Sequence, residues 1–143
     1  MTGFNHTLAG TIIAVITPTP LVPVVALLSH FILDTFPHFG RSQTVKPYNK
    51  KFKLVLIIDA LLCFSFLALG LYLFPDKRLA IILGAFFANL PDFMWLLRDF
   101  AKVPSLKWFF NFSEKIQWGE RPWGWILEIL YAIAFIVILL NLR

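Results

Sequence analysis

The sequence predicts an all-α integral membrane protein, a single domain over residues 1–143 with about five transmembrane helices. Its 143 residues are 59% hydrophobic and 15% charged, and the mean hydropathy is +0.76. This composition is far from that of a soluble domain. Five apolar segments, compared with the ~20 helical residues that cross a bilayer core, supply the second observation. The third is the gathering of basic residues into two polar connections.

The five segments predict two helical hairpins and a C-terminal span. Residues 6–18 and 20–36 are separated only by Thr-Pro-Thr-Pro and form the first hairpin. Residues 54–74 and 79–97 form the second, and residues 124–142 make the last span. The first segment is short, so it either stays shallow or thins the membrane around it.

The polar connections predict the orientation. Residues 39–53 and 98–123 hold ten of the thirteen Lys and Arg residues. The positive-inside rule therefore places both connections and the N-terminus in the cytoplasm and the C-terminus outside. Within the second connection, the segment from Ser105 to Gly119 is predicted to be a helix lying in the interface, with an ordinary loop as the alternative.

Charge and cysteine content restrict the partners. Because the basic residues are spread over loops of an apolar chain, membrane lipids are expected as partners and nucleic acid is not. The single Cys63 has no partner for a disulfide.

The stretch Ser29–His38 contains the strongest chemical signal. His30 and Asp34 are four residues apart, so on a helix they share one face. Pro37 predicts that the helix ends there and that His38 turns back over the same site. Imidazole nitrogen and carboxylate oxygen at this spacing suit zinc or a similar divalent ion. The alternative is a histidine and an aspartate that only satisfy each other.

The other buried ionisable residues are expected at the same depth. Following the chain through five spans brings His6, Asp59, Asp92 and Glu128 to the layer that holds the His30 motif. Each charge inside a membrane costs on the order of 2.5–3.5 kcal/mol, so several at one depth need compensation. A bound divalent cation would provide it, and pairing without a metal is the alternative.

The fourth segment adds two details. Pro91 frees the carbonyl of Phe87, four residues back, for a metal, a water or Asn89. Small residues at four-residue spacing predict close approach of another helix; they are Ala80, Gly84 and Ala88.

This set of motifs resembles the membrane-bound metal-dependent hydrolases of bacteria, which are small multi-pass inner-membrane proteins. The early His6, the His-x-x-x-Asp-x-x-Pro-His run from His30 to His38, Asp59 and the Pro91-Asp92 pair carry the resemblance. It implies an inner-membrane location and metal binding at the matching positions, which are His6, His30, Asp34, His38, Asp59 and Asp92.

The function expected from these residues is metal-dependent hydrolysis of a membrane-associated substrate, with a lipid phosphoester favoured. Zinc is the expected ion, with manganese as the second choice, held by His6, His30, Asp34, His38 and Asp92. Asp59 and Glu128 are the expected catalytic residues, acting as general base or as residues that orient the ligands. Two alternatives stay open: a proton or ion relay that uses the buried His and Asp residues, and a non-catalytic assembly protein.

Overall fold

The computed structural model describes residues 1–40, 50–96 and 103–143. The described chain is almost entirely helical, with short 3₁₀ turns at Thr19–Leu21, Pro75–Lys77, Pro104–Leu106 and Gln117–Gly119. The helices are α1 (Gly3–Ile16), α2 (Val22–Asp34), α3 (Lys50–Leu73), α4 (Arg78–Leu96), α5 (Lys107–Ile116) and α6 (Trp125–Asn141), and the two strands are β1 (His38–Phe39) and β2 (Glu120–Arg121).

Helix α1 is the centre of the fold. It packs against α2, α3, α4 and α6, and nine of its fourteen residues are buried. A helix surrounded on all sides needs small side chains where a neighbour comes close. The closest approach is to α4, where a Cβ on Gly10 would lie 2.3 Å from the carbonyl oxygen of Gly84.

Two short strands connect the end of the first hairpin to the start of α6. β1 pairs in parallel with β2, His38 opposite Glu120 and Phe39 opposite Arg121. Behind β1, a Cβ on Gly124 would lie 2.2 Å from the carbonyl carbon of His38. The glycine therefore lets β1 lie directly on the N-terminus of α6, and this contact fixes where His38 lies.

The prediction of about five transmembrane helices is wrong. In the part of the chain that the structure describes, one helix, Lys50–Leu73, is long and apolar enough to span a bilayer. The segments Gly3–Ile16, Thr19–Asp34 and Trp125–Asn141 are apolar but shorter. At ~1.5 Å per residue, α1 and α2 extend only ~20 Å, against a hydrocarbon core of ~30 Å.

The physical reason for the error is that apolar length in a sequence does not say what a helix contacts. α1 is apolar because other helices surround it, whereas α3 is apolar and faces outward: only 6% of its most hydrophobic stretch is buried. The predicted inside and outside assignments depended on five crossings, so the corrected fold removes their basis. A ten-residue helix, α5, does lie between Ser105 and Gly119.

Candidate metal centre

Two histidines and one aspartate meet where α1 and α2 come together. His6 lies on α1, and His30 and Asp34 lie on α2, four residues apart and therefore on one face. One ligand atom from each lies within 4.8 Å of the other two, and all three side chains are buried. The imidazole rings of His6 and His30 stack with their centroids 4.1 Å apart. Nitrogen and oxygen donors in this arrangement fit a divalent cation.

Asp92 approaches the same group from α4. Its two carboxylate oxygens lie 4.0 Å from His6 Nε2 and 3.9 Å from His30 Nε2. The side chain retains 36% of its exposure and lines a large cavity. Asp92 is therefore the member of this group through which the buried side chains can meet a bound molecule.

A backbone carbonyl determines which ring nitrogen of His30 carries a proton. Its Nδ1 lies 2.8 Å from the carbonyl oxygen of Ala88, and because a carbonyl can only accept, Nδ1 donates. The Nε2 of a neutral His30 is then a bare lone pair, and it faces Asp34 Oδ2 at 3.3 Å. Two electron pairs at this distance repel unless a proton or a metal cation lies between them. In metal-binding histidines, the ring nitrogen that does not bind the metal commonly donates a hydrogen bond to a carbonyl in the same way.

His6 is the second histidine of the group. Its Nε2 lies 3.2 Å from Asp34 Oδ1, while its Nδ1 is buried and has no hydrogen-bond partner among the described residues. Burial and the nearby charge of His30 lower the pKa of His6 to about 3, although the hydrogen bond to Asp34 opposes this. His6 is therefore a neutral imidazole at neutral pH, which is the form that binds metal.

The remaining groups stabilise positive charge at this point. Burial is the largest single effect and would lower the pKa of His30 and raise that of Asp34, but the hydrogen bond between them, together with the other hydrogen bonds and charges around them, outweighs burial at both residues. The pKa of His30 is raised and the pKa of Asp34 is held well below its usual range. The Met1 ammonium also donates to Asp34 Oδ1 at 2.6 Å. Asp34 thus stabilises positive charge, which here is supplied by the Met1 ammonium and the proton on His30, and a metal ion would take their place.

His38 lies outside the three-residue group. It is buried, and its Nδ1 donates to the carbonyl oxygen of Phe36 at 2.7 Å. Burial and the Met1 ammonium lower its pKa, so His38 is neutral and its Nε2 is a lone pair. Since His38 lines the same cavity as Asp92, its position suits a base better than the ligand role expected from the sequence.

The two expected catalytic carboxylates bind the start of α1. Asp59 on α3 accepts hydrogen bonds from the backbone N–H groups of Gly3 at 3.1 Å and Phe4 at 3.0 Å. Glu128 on α6 accepts from the N–H of Thr2, from the side chain of Asn5 at 2.6 Å and from the N–H of Phe39 at 3.2 Å. The free N–H groups of a helix N-terminus favour negative charge. Both carboxylates therefore hold α1, and with it His6, in position.

Two contacts of the site were not predicted from the sequence. Gln117 donates from its side chain to Asp34 Oδ2 at 3.4 Å, and no spacing links these two residues because they are far apart in the chain. His30 donates to the carbonyl of Ala88, whereas the sequence predicted only a freed carbonyl at Phe87 for a metal, a water or Asn89. Pro91 does not signal this second contact, since a proline leaves without its donor the carbonyl four residues back, which is that of Phe87.

Comparisons with known proteins give no match: no family model, no curated protein and no solved structure resembles this chain closely enough to be matched. The resemblance to bacterial membrane-bound metal-dependent hydrolases therefore stays an expectation from motifs.

Proposed function

We propose that this protein is a membrane-bound, metal-dependent hydrolase that acts on a lipid phosphoester. The observation that carries the proposal is the buried group of His6, His30 and Asp34, whose ligand atoms lie within 4.8 Å of one another, with the carboxylate of Asp92 beside it. His6, His30 and Asp34 would hold the ion, with Asp92 beside them, and zinc or manganese fits the mixture of imidazole and carboxylate donors. When bound, such an ion polarises an ester oxygen and activates water at neutral pH.

Other residues of the chain would orient the proposed ligands or accept a proton. Ala88 and Gln117 orient His30 and Asp34 through hydrogen bonds. His38 has its Nδ1 proton held by Phe36 and lines the cavity, so its Nε2 takes a proton from the attacking water. Asp59 and Glu128 act indirectly, because their contacts to the start of α1 determine where His6 lies.

Attachment to the membrane is proposed for α3. This helix has twenty-four residues with a mean hydropathy of 2.6 over its most apolar stretch. Leu61 and Phe64 are 63% and 70% exposed. An exposed apolar surface of this size needs lipid or a partner protein to cover it. The length also fits, because twenty-four helical residues extend ~36 Å, enough to cross a hydrocarbon core of ~30 Å.

Elemental analysis of the purified protein in detergent tests the metal assignment. We expect one divalent ion per chain, with loss of most of it in Asp34→Asn and in His30→Ala because each removes a ligand or its charge. Asp76→Asn, which changes an exposed carboxylate in the turn before α4, is the matched control and should keep the ion. Full metal content in Asp34→Asn would show that the ion binds elsewhere.

Turnover of a phosphoester in reconstituted vesicles tests the reaction. His38→Gln should keep its metal and lose at least ~100-fold in turnover, the range expected for loss of a general base. If wild-type protein instead conducts protons across the vesicle membrane and hydrolyses nothing, the relay replaces the hydrolase.

A further inference from the structure

A cavity of about 1290 Å³ lies beside the candidate metal centre. α1, α3, α4 and α5 all contribute to its walls. It exceeds the ~300–1,000 Å³ of most small-molecule sites. Several of its polar lining residues belong to the site already described; they are His38, Asp59, Asp92 and Gln117.

The lining residues that follow Asp59 on α3 and those that precede Asn89 on α4 are apolar apart from Cys63, and we call the part of the cavity between them the apolar arm. Its lining residues follow helical spacing, so each helix presents one continuous face. The face of α3 carries Ala60, Cys63, Phe64 and Leu67, and the face of α4 carries Ile82, Ala85 and Phe86. From Asp59 to Leu67 the arm extends ~12 Å at ~1.5 Å per residue, close to the ~15 Å that is half of a bilayer's hydrocarbon core.

We propose that this arm holds a hydrocarbon chain of a membrane lipid, with the polar head of that lipid at Asp92 and His38. The substrate class of the site is then an amphiphilic lipid ester with at least one long chain. This inference rests on the proposed function, since it identifies the substrate of the same centre.

Three observations favour a lipid chain over a small polar molecule or an apolar peptide. The seven lining residues of the arm on α3 and α4 carry a single heteroatom-bearing side chain, Cys63, and the nearby polar side chains of Thr7 and Asn89 are hydrogen-bonded to each other. A peptide would bring backbone N–H and C=O groups that this lining could not satisfy, at a cost of several kcal/mol each in an apolar environment. Finally, α3 forms one wall and is itself the helix exposed for lipid contact, so a chain could enter sideways from the bilayer.

Photo-crosslinking tests the inference without depending on turnover. The full-length Asp34→Asn protein, which should lack the ion, is reconstituted in phosphatidylcholine vesicles with an alkylphosphocholine that carries a diazirine at the end of its chain. We expect mass spectrometry to find the label concentrated on Leu67 and Ile82. An even spread over outward residues of α3 such as Ile57 and Leu61 would overturn the proposal, because it would indicate ordinary lipid contact.

Two matched substitutions locate the binding. Ala60 and Ala68 are both exposed residues of α3, and only Ala60 lines the cavity. Ala60→Trp should reduce labelling of Ile82 by about tenfold or more, since each methylene kept out of an apolar site is worth about fourfold in binding. Ala68→Trp should leave it unchanged, and equal labelling in the two variants would overturn the proposal.

A second measurement covers the case in which Ala60→Trp fails to fold. Competition by unlabelled alkylphosphocholines, from octyl to hexadecyl, is measured on Asp34→Asn without other changes. We expect stronger competition with each added methylene until the arm is filled. Competition that does not depend on chain length would overturn the inference, yet it would leave the metal and turnover tests of the proposed function unaffected.

Discussion

Glu128 shows how a single buried carboxylate can organise several elements. It is 2% exposed, and it accepts hydrogen bonds from Thr2, Asn5 and Phe39. These partners belong to the start of α1 and to β1, while Glu128 itself lies on α6. A buried charge with this many donors is stabilised where it is, and its donors in turn depend on it.

Glu128→Ala should therefore destabilise the fold. Removing the carboxylate leaves the N–H of Phe39 and the amide of Asn5 without their acceptor, and each unsatisfied buried donor costs ~1–3 kcal/mol. We expect a loss of at least ~2 kcal/mol in the free energy of unfolding, measured by urea titration in micelles. The control Asp76→Ala removes an exposed carboxylate and should change stability by no more than ~0.5 kcal/mol. Equal effects of the two substitutions would contradict the assigned role of Glu128.

The lowered pKa of His38 should make the free energy of unfolding depend on pH. Its pKa is lowered by burial and by the Met1 ammonium, with Asp34 and Glu128 opposing. Below about pH 6.5 the unfolded chain takes up a proton at this residue and the folded chain does not, so stability falls as the pH falls. One such group contributes at most ~1.4 kcal/mol per pH unit to the slope of the free energy of unfolding against pH.

His38→Gln isolates this contribution from those of the other two histidines. The pKa of His6 is lowered and that of His30 is raised, so their effects on the slope have opposite signs. Urea titrations at about pH 5 and about pH 7 should show that the variant loses less stability on acidification than the wild type. The same loss in both proteins would mean that His38 takes up its proton without cost in the folded state.

Local spacing is the part of the site that the sequence predicts well. His30 and Asp34 share a face because helical geometry requires it. His6 and Asp92 were expected at the same depth and do approach His30. In contrast, the roles of Asp59 and Glu128 depend on where the start of α1 lies, and Gln117 reaches Asp34 across the fold. Such contacts are determined by packing between distant segments, for which one sequence carries no spacing signal.

At the scale of elements, the contact between α1 and α4 places His6 and Asp92 beside each other. The Ala80, Gly84 and Ala88 stripe predicted a close helix approach, and Gly84 does lie against the backbone of Gly10 on α1. The identity of the partner helix was not predictable, because a stripe of small residues allows close packing of another helix but does not specify which one. As α1 carries His6 and α4 carries Asp92, the distance between these helices also sets the distance between the two proposed ligands.

Gly84→Ala tests this coupling. The added methyl would lie 2.2 Å from the carbonyl oxygen of Gly10, so the helices must move apart, and overpacking of this kind typically costs ~1–3 kcal/mol. We expect a loss of stability in that range in urea titrations, together with reduced metal content. Ala68→Val, at an exposed position of α3, should cost no more than ~0.7 kcal/mol and keep the ion. A stable variant with full metal content would show that the contact tolerates separation.

At the scale of the whole molecule, apolar residues serve two purposes that composition alone cannot separate. α1 is buried among four helices, whereas α3 keeps its apolar side chains outward. Hydropathy counts both in the same way, and this is why five apolar segments predicted five crossings while the described chain holds one helix of sufficient length. The all-helical class was predictable because it needs only the local pattern.

The proposed attachment of α3 to the bilayer gives the last prediction. Leu61 lies at the middle of the helix and is 63% exposed, while Leu54 lies near its start and is 58% exposed. Arginine costs about 2.5–3.5 kcal/mol at the centre of a membrane helix, but near an end its side chain can reach the headgroups. Leu61→Arg should therefore release much of the protein from membranes on alkaline carbonate extraction, whereas Leu54→Arg should remain with the lipid. If both variants stayed in the membrane fraction to the same extent as the wild type, α3 would not be the attachment; if the wild type itself were extracted, the membrane assignment would be lost.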